Sequence, residues 1–175
     1  MKKSTEKDVI IKLYEESLND VIWTHKIQAT LLDSYTKMNK IFKTVKEIIV
    51  GLSGFISVIG IYYNLIIIAI ISSALSCVAV IVDGIFRIGS YEEKINITNQ
   101  NVNELWLMKK QLSHNKEYLK SDIITWSEAK IKLEQATEQR KEIYSKLETA
   151  PNRIIKKAKS KLIERKDEEI NKELF

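Results

Sequence analysis

The sequence is poor in residues that punctuate or cross-link a fold, because its 175 residues include five glycines, one proline and one cysteine. The single cysteine, Cys77, excludes a disulfide or a thiolate metal site within one chain. With so few glycines and prolines, the turn clusters that bound β-strands are missing. We therefore expect an all-α fold.

Sequence motifs of catalysis are missing as well. No GxGxxG, P-loop, zinc-binding helix motif or nucleophile elbow occurs. The two histidines, His25 and His114, lie far apart in the chain, and neither accompanies a nucleophile and an orienting carboxylate in a recognisable pattern. The sequence therefore predicts a non-enzymatic protein with no catalytic residues, no metal site and no cofactor.

What the chain does contain is a long apolar run, IIVGLSGFISVIGIYYNLIIIAIISSALSCVAVIV at residues 48–82, although 29% of the whole sequence is charged. As one helix this run would be about 50 Å long, well beyond the roughly 30 Å hydrocarbon core of a bilayer. Two membrane crossings joined by a tight turn fit its length better. The alternative is a soluble bundle, in which the polar flanks would have to cover a hairpin that has no polar face of its own.

The predicted transmembrane helical hairpin occupies residues 45–86. Aromatic hydroxyls favour the membrane interface and asparagine tolerates turn conformations, which places the turn at Tyr62, Tyr63 and Asn64. The turn is uncharged, whereas lysines precede the first span and Arg87 follows the second. By the positive-inside rule we predict that both termini lie in the cytoplasm.

Small and weakly polar residues form one face of each predicted span. The set is Ser53, Ser57, Asn64, Ala69, Ser72, Ser76, Ala79 and Asp83. Such a face packs two helices closely, because small residues let transmembrane backbones approach. It would alternatively line an aqueous path in an assembly of hairpins, with Asp83 forming a carboxylate ring at the cytoplasmic mouth. The spacing leaves both interpretations open.

Cytoplasmic helices are predicted on both sides of the hairpin. Residues 1–44 form the N-terminal helix, and residues 87–175 form a helical region with helices at about 91–118, 125–149 and 152–170. Thr125 and Glu128 stand in capping-box spacing at the start of the middle one. That helix also carries a narrow, coiled-coil-like apolar seam, which suits antiparallel or intersubunit packing and is our candidate oligomer or partner surface: Trp126, Leu133, Ala136, Ile143 and Leu147.

A basic cluster opens the last predicted helix, just after the single proline. It consists of Arg153, Lys156, Lys157, Lys159 and Lys161. The cluster is typical of a solvated helix face, and it would also attract anionic lipid headgroups or a nucleotide. We do not expect direct nucleic-acid binding, whose signature would be steeply salt-dependent association.

The order of these parts, with WTHKIQA at residues 23–29, ITWSEA at 124–129 and EIYSKLETAPN at 142–152, resembles the SLATT family of bacterial two-transmembrane proteins. The resemblance implies a pore-forming effector of an anti-phage conflict system. Its partner would be a neighbouring sensor such as a nucleotide-messenger synthase, a nucleotide-sensing protein or a reverse transcriptase. The family supplies no catalytic residues.

Together these features predict a membrane effector of abortive infection. In this hypothesis the chain forms a homo-oligomer in the lipid bilayer and permeabilises the inner membrane when a sensor triggers it. The alternative hypothesis is a membrane-anchored helical scaffold or adaptor, in which the hairpin only tethers helices that dock a soluble partner.

Overall fold

The computed structural model describes residues 2–63 and 65–173, and these residues are almost entirely helical. No strand occurs in that part of the chain, which confirms the all-α prediction. The helices are α1 (Lys2–Tyr62), α2 (Ile66–Ile88), α3 (Tyr91–Lys120), α4 (Trp126–Lys146) and α5 (Asn152–Glu173).

Helix α1 runs without interruption for 61 residues, so the predicted N-terminal helix and the apolar segment after it form one element. It ends at Tyr62, and a tight connection closes when the Leu65 amide donates to the Gly60 carbonyl at 3.0 Å. Asn64, which was predicted in this turn, lies outside the described residues. The predicted second span, residues 65–86, falls almost entirely within α2.

One stretch of helix in the described part of the chain is both long enough and apolar enough to cross a membrane. It lies within Ile66–Lys120, and only 11% of its apolar window is buried. The uncharged part of α1 is shorter, because it begins after Glu47 and ends with the helix at Tyr62. Since a span needs roughly 17 residues or more, length and composition do not confirm α1 as the other crossing of the predicted hairpin.

The chain divides into two compact units. The first unit consists of Met1–Leu32 and Ile97–Phe175, and the second consists of Asp33–Asn96. Helices α1 and α3 contribute to both units, whereas α2 belongs to the second and α4 and α5 belong to the first.

In the first unit α1 is antiparallel to α3 and parallel to α4. The Lys7 ammonium donates to the carbonyl of Lys120, near the end of α3. By contrast, the Tyr14 hydroxyl bonds near the start of α4 and Thr24 bonds to Tyr144 near its end. Burial of apolar side chains from these helices holds the unit together. Its core contains Ile10, Tyr14, Val21, Leu105, Met108, Leu112, Leu119, Ala129, Leu133 and Ala136.

The connection from α3 to α4 shows the predicted capping box. The amide of Glu128 donates to Thr125 Oγ1 at 3.2 Å, and the Thr125 amide donates back to the Glu128 carboxylate at 2.9 Å. These bonds satisfy two backbone donors that a helix start otherwise leaves unpaired. Helix α4 ends at Lys146, with Leu147 as its C-cap, and α5 begins immediately after Pro151.

Candidate functional site: a serine ladder between two apolar helices

Four serines meet where α1 and α2 pack together in the second unit, and we call this set the serine ladder: Ser53, Ser57, Ser72 and Ser76. The hydroxyls of Ser53 and Ser76 are 2.7 Å apart. The hydroxyls of Ser57 and Ser72 are also hydrogen-bonded. Ser72 further reaches the carbonyl of Ser53, with an oxygen–oxygen distance of 2.9 Å. The small faces identified on the two segments therefore face each other within one chain.

Close helix packing explains why serine occupies these positions. Ser53 and Ser72 are 7% and 4% exposed, so a larger side chain at either position would meet the opposite helix. Near the turn, a Cβ atom added to Gly60 would lie 3.0 Å from Cγ2 of Ile68, which shows that the backbones approach closely there as well. Small residues permit this approach, and each buried hydroxyl finds a partner across the interface or on its own helix.

The remaining candidates of this face have different surroundings. Ala79 is buried, whereas Ala69 is exposed. The carboxylate of Asp83 forms an ion pair with Lys46 at the end of the ladder away from the turn. In this conformation the Asp83 charge is matched within the chain.

A second ion pair follows the first, between Lys43 Nζ and the Glu92 carboxylate at 2.7 Å. The hydrogen bond from Lys43 and its positive charge hold the pKa of Glu92 below its usual value. Both pairs join α1 to the chain that returns from the turn. They therefore fix the two segments to each other where the apolar block ends.

An aromatic cluster lies beside these ion pairs and was not anticipated from the sequence. Phe86 stacks on Tyr91 with ring centroids 6.0 Å apart, and Phe42 lies 5.8 Å from Tyr91. Tyr35 approaches the edge of Tyr91 at 6.2 Å. Aromatic residues on both flanks of an apolar block were the available signal, because such residues are enriched at membrane interfaces.

Most other large side chains in α2 and in the apolar last part of α1 are exposed. Such a large apolar surface is not typical of a water-soluble protein and marks an interface with lipid or with another chain. The exposed residues include Val50, Phe55, Val58, Ile67, Ile70, Val80, Ile81 and Ile85.

Comparison with protein families identifies the chain. Residues 11–173 match the family described as SMODS and SLOG-associating 2TM effector domain family 4. The chain belongs to the SLATT family. This confirms the resemblance inferred from its sequence, and the match includes both compact units. Comparisons with curated proteins and with solved structures gave no match.

Family membership and the apolar helix together make this SLATT chain a membrane protein of the effector type found in conflict systems. The family description names SMODS and SLOG as the domains with which the family associates.

The apolar seam of the SLATT chain mostly packs inside the first unit. Leu133 and Ala136 are buried in the core, and Ile143 and Leu147 pack against it. Trp126 is the exposed member of the seam. The structure therefore accounts for four of these five residues through packing within one chain.

The basic cluster lies on the outer face of α5. Arg153, Lys156, Lys157 and Lys159 are exposed, and Lys161 is half-buried. On the inner face, Ile154 and Ala158 are buried. The helix is therefore amphipathic, with a cationic outer surface.

Two polar residues of the first unit have pKa values shifted by their surroundings. Burial raises the pKa of Tyr14 to about 12, and its hydroxyl donates to the carbonyl of Ala129 at 2.8 Å. Burial and the nearby Lys109 charge lower the pKa of His25, so its imidazole is neutral at pH 7. The described residues contain no group of three acidic, histidine or cysteine side chains placed to hold a metal ion.

Proposed function

We propose that this SLATT protein is the membrane-permeabilising effector of a bacterial anti-phage system that acts by abortive infection. The observation that carries the proposal is the serine ladder, a row of paired hydroxyls inside two helices whose other faces are apolar and exposed. Serines at the interface of membrane helices permit close packing, and rings of polar groups can line an ion path. Family membership adds the effector role.

In this proposal the end of α1 and the whole of α2 cross the inner membrane as a two-span hairpin. The exposed rings of Tyr62 and Tyr63 would lie at the outer interface, where amphipathic aromatic residues are favoured. Lys43 and Lys46 would lie at the cytoplasmic interface, each with its carboxylate partner. Both termini would be cytoplasmic. The positively charged residues that flank the apolar segment support this orientation.

In this proposal the serine ladder is the closed form of the hairpin, because its hydroxyls bond to one another across the two helices. Hydrogen bonds between membrane helices contribute about 0.6 kcal/mol on average and at most about 1.7. Two hydroxyl pairs are therefore worth about 1–3 kcal/mol, which is the usual range of an allosteric coupling energy. A sensor that binds the open form more tightly by that amount would separate or rotate the helices.

Several hairpins would form the conducting state. In the open homo-oligomer the freed hydroxyls would line a path, with Asp83 near its cytoplasmic mouth, since polar rings lower the barrier for ions in a pore. The trigger would be a partner sensor such as a nucleotide-messenger synthase, a nucleotide-sensing protein or a reverse transcriptase. No catalysis by this chain is required, and we propose that it is not an enzyme.

The test is membrane potential in bacterial cells that express the chain together with its neighbouring sensor. Activation should depolarise the cells, whereas either protein alone should not. A Ser72→Ala, Ser76→Ala double variant should insert normally. Although it lacks the hydroxyl pairs that hold the hairpin closed, it should depolarise the cells more slowly, because a dry apolar constriction conducts poorly. Ser73→Ala is the matched control, because Ser73 is exposed and bonds within its own helix. An intact potential in activated cells would contradict the proposal.

One observation favours a membrane-anchored scaffold as the second candidate. Every hydroxyl of the ladder already has a partner within the chain, so helix packing alone is a sufficient reason for these serines. A scaffold needs only an anchor. Replacing the apolar parts of α1 and α2 with a polyleucine hairpin would leave a scaffold active, whereas it would abolish permeabilisation by a pore.

A further inference from the structure

A surface groove runs between α1 and α4 in the first unit, remote from the serine ladder in sequence. It has a volume of about 990 Å³, and Leu13 and Leu133 are among its apolar lining residues. A smaller depression of about 350 Å³ shares both leucines and extends the groove to Val9 and Trp126. Val9 is 54% exposed and Trp126 is 37% exposed. Apolar side chains left open in this way are typical of a docking surface.

The groove is acidic along its rim. Its lining includes five carboxylates and only two cations. Arg140 is already engaged with Asp20 at 3.4 Å. Glu16 on one wall and Glu134 on the other have no ion pair with any residue in the described part of the chain. The partner that this surface fits is therefore a cationic element with aliphatic surface. The charged lining residues are Glu6, Glu16, Asp20, Glu134, Glu138, Lys130 and Arg140.

The outer face of α5 has the complementary properties. Arg153, Lys156, Lys157 and Lys159 are exposed and make no ion pair with another described residue, and Ile163 in the following turn is 51% exposed. The aliphatic stems of lysine and arginine cover apolar surface while their charged ends reach acidic rims.

The dimensions also agree. Residues 153–163 of α5 span about 15 Å, and residues 126–140 of α4, which border the groove, span about 21 Å.

Within its own chain, α5 packs beside another part of α1 and does not occupy the groove. Ile154 and Ala158 are buried, and Lys159 and Ile163 lie beside Trp23 of α1. The rest of the basic face points outward, where another copy can reach it. Two grooves cannot face each other without placing carboxylates together, and two α5 helices cannot pair by their basic faces, because like charges in contact are unfavourable.

We propose that α5 of one copy docks through its basic face into the acidic α1/α4 groove of the next copy. This contact joins two different surfaces and is therefore heterologous, so repetition closes a ring or extends a filament. A ring is what a pore requires, and in that respect the inference rests on the proposed function. The contact itself does not depend on conduction and is measured separately.

The first test is charge reversal with rescue in the full-length chain in native membranes, read as cross-linked oligomer. Glu16→Lys with Glu134→Lys should reduce the oligomer yield about tenfold or more, and so should Lys156→Glu with Lys157→Glu, because each places like charges together. A chain that carries all four changes should recover the yield. Lys109→Glu with Lys110→Glu on α3 is the matched control and should not change it.

The second test locates the contact with cysteines that leave the charge unaltered. In a Cys77→Ser background, one tagged copy carries Gln135→Cys in the groove and another carries Ser160→Cys on α5. Oxidation should form a disulfide between the two different tags, and each single-cysteine chain alone should form little.

Three results would overturn the inference. The first is a monomer at every protein concentration in the membrane, and the second is cross-linking between two grooves. The third is a loss of oligomer yield on reversing the α5 charges that reversing the groove charges does not restore. The last result would assign α5 to another partner such as anionic lipid. Normal oligomers with an intact membrane potential would reject the proposed function but leave this contact standing.

Discussion

Replacing Ser72 by leucine should separate α1 from α2, whereas the same change at the neighbouring Ser73 should not. Ser72 is 4% exposed and bonds both to the Ser57 hydroxyl and to the Ser53 carbonyl. Ser73 is exposed, and its hydroxyl donates to the Ala69 carbonyl of its own helix at 3.0 Å. The two variants add the same atoms to adjacent positions, so their difference isolates the helix interface.

The expected magnitude follows from these contacts. Ser72→Leu loses two interhelical hydrogen bonds, worth about 1 kcal/mol together in a membrane, and the extra methyl groups overpack the interface at a cost of about 1–3 kcal/mol. The closed hairpin should therefore lose about 2–4 kcal/mol. At 1.4 kcal/mol per tenfold, this changes the ratio of open to closed hairpin by about 30- to 1,000-fold. Ser73→Leu places an apolar side chain toward lipid and should change little.

The rate of disulfide formation across the two helices measures the ratio of open to closed hairpin. Cysteines at positions 53 and 76, whose hydroxyls are 2.7 Å apart, should oxidise readily in a Cys77→Ser background because the closed hairpin holds them in contact. Adding Ser72→Leu should slow oxidation strongly, and adding Ser73→Leu should leave the rate unchanged. Equal rates in the two leucine variants would refute the conclusion that the ladder packs α1 against α2.

Three further predictions concern packing and helix capping within each unit. Gly60→Leu should weaken trapping of the hairpin, because an added Cβ meets Ile68, whereas Gly54→Leu should be tolerated, since a Cβ there meets nothing within 4 Å. Tyr14→Phe should lower the free energy of unfolding of the first unit by about 1 kcal/mol in detergent-solubilised protein monitored by tryptophan fluorescence, because a buried hydrogen bond is lost. Acidification should weaken the α4 cap. Hydrogen bonds from Thr125 lower the pKa of Glu128 in the folded chain, so the ionised carboxylate stabilises the fold fully above the pKa of Glu128 in the unfolded chain. That stabilisation is lost as the pH falls through the lower pKa of the folded chain. Helix content followed against pH should show this loss, and Glu128→Gln should remove it.

Local signals in the sequence anticipated much of the fold. The apolar run marked the last part of α1 and most of α2, because its length and lack of charge can be seen directly in the sequence. The pair Thr125 and Glu128 marked the start of α4, since a capping box is a contact between residues three apart. The end of α1 at Tyr62 also coincided with the aromatic turn signal.

The partners of each face were not visible in the sequence. Serine spacing showed two small faces, but only the structure shows that Ser53 meets Ser76 in the same chain. The periodicity of the α4 seam similarly indicated an apolar stripe without showing what covers it, and α1 and α3 of the same chain cover most of it. Contacts between residues far apart in sequence, such as Phe42 with Tyr91, leave no periodic signal.

Labelling of the turn tests most directly whether α1 and α2 cross the membrane as a hairpin. In a Cys77→Ser background, Tyr63→Cys places a thiol at the exposed turn and Lys12→Cys places one on the exposed N-terminal part of α1. A membrane-impermeant maleimide added to intact spheroplasts should label position 63, and it should label position 12 only after permeabilisation. Labelling of position 12 in intact spheroplasts, or protection of position 63 until the membrane is opened, would contradict the account.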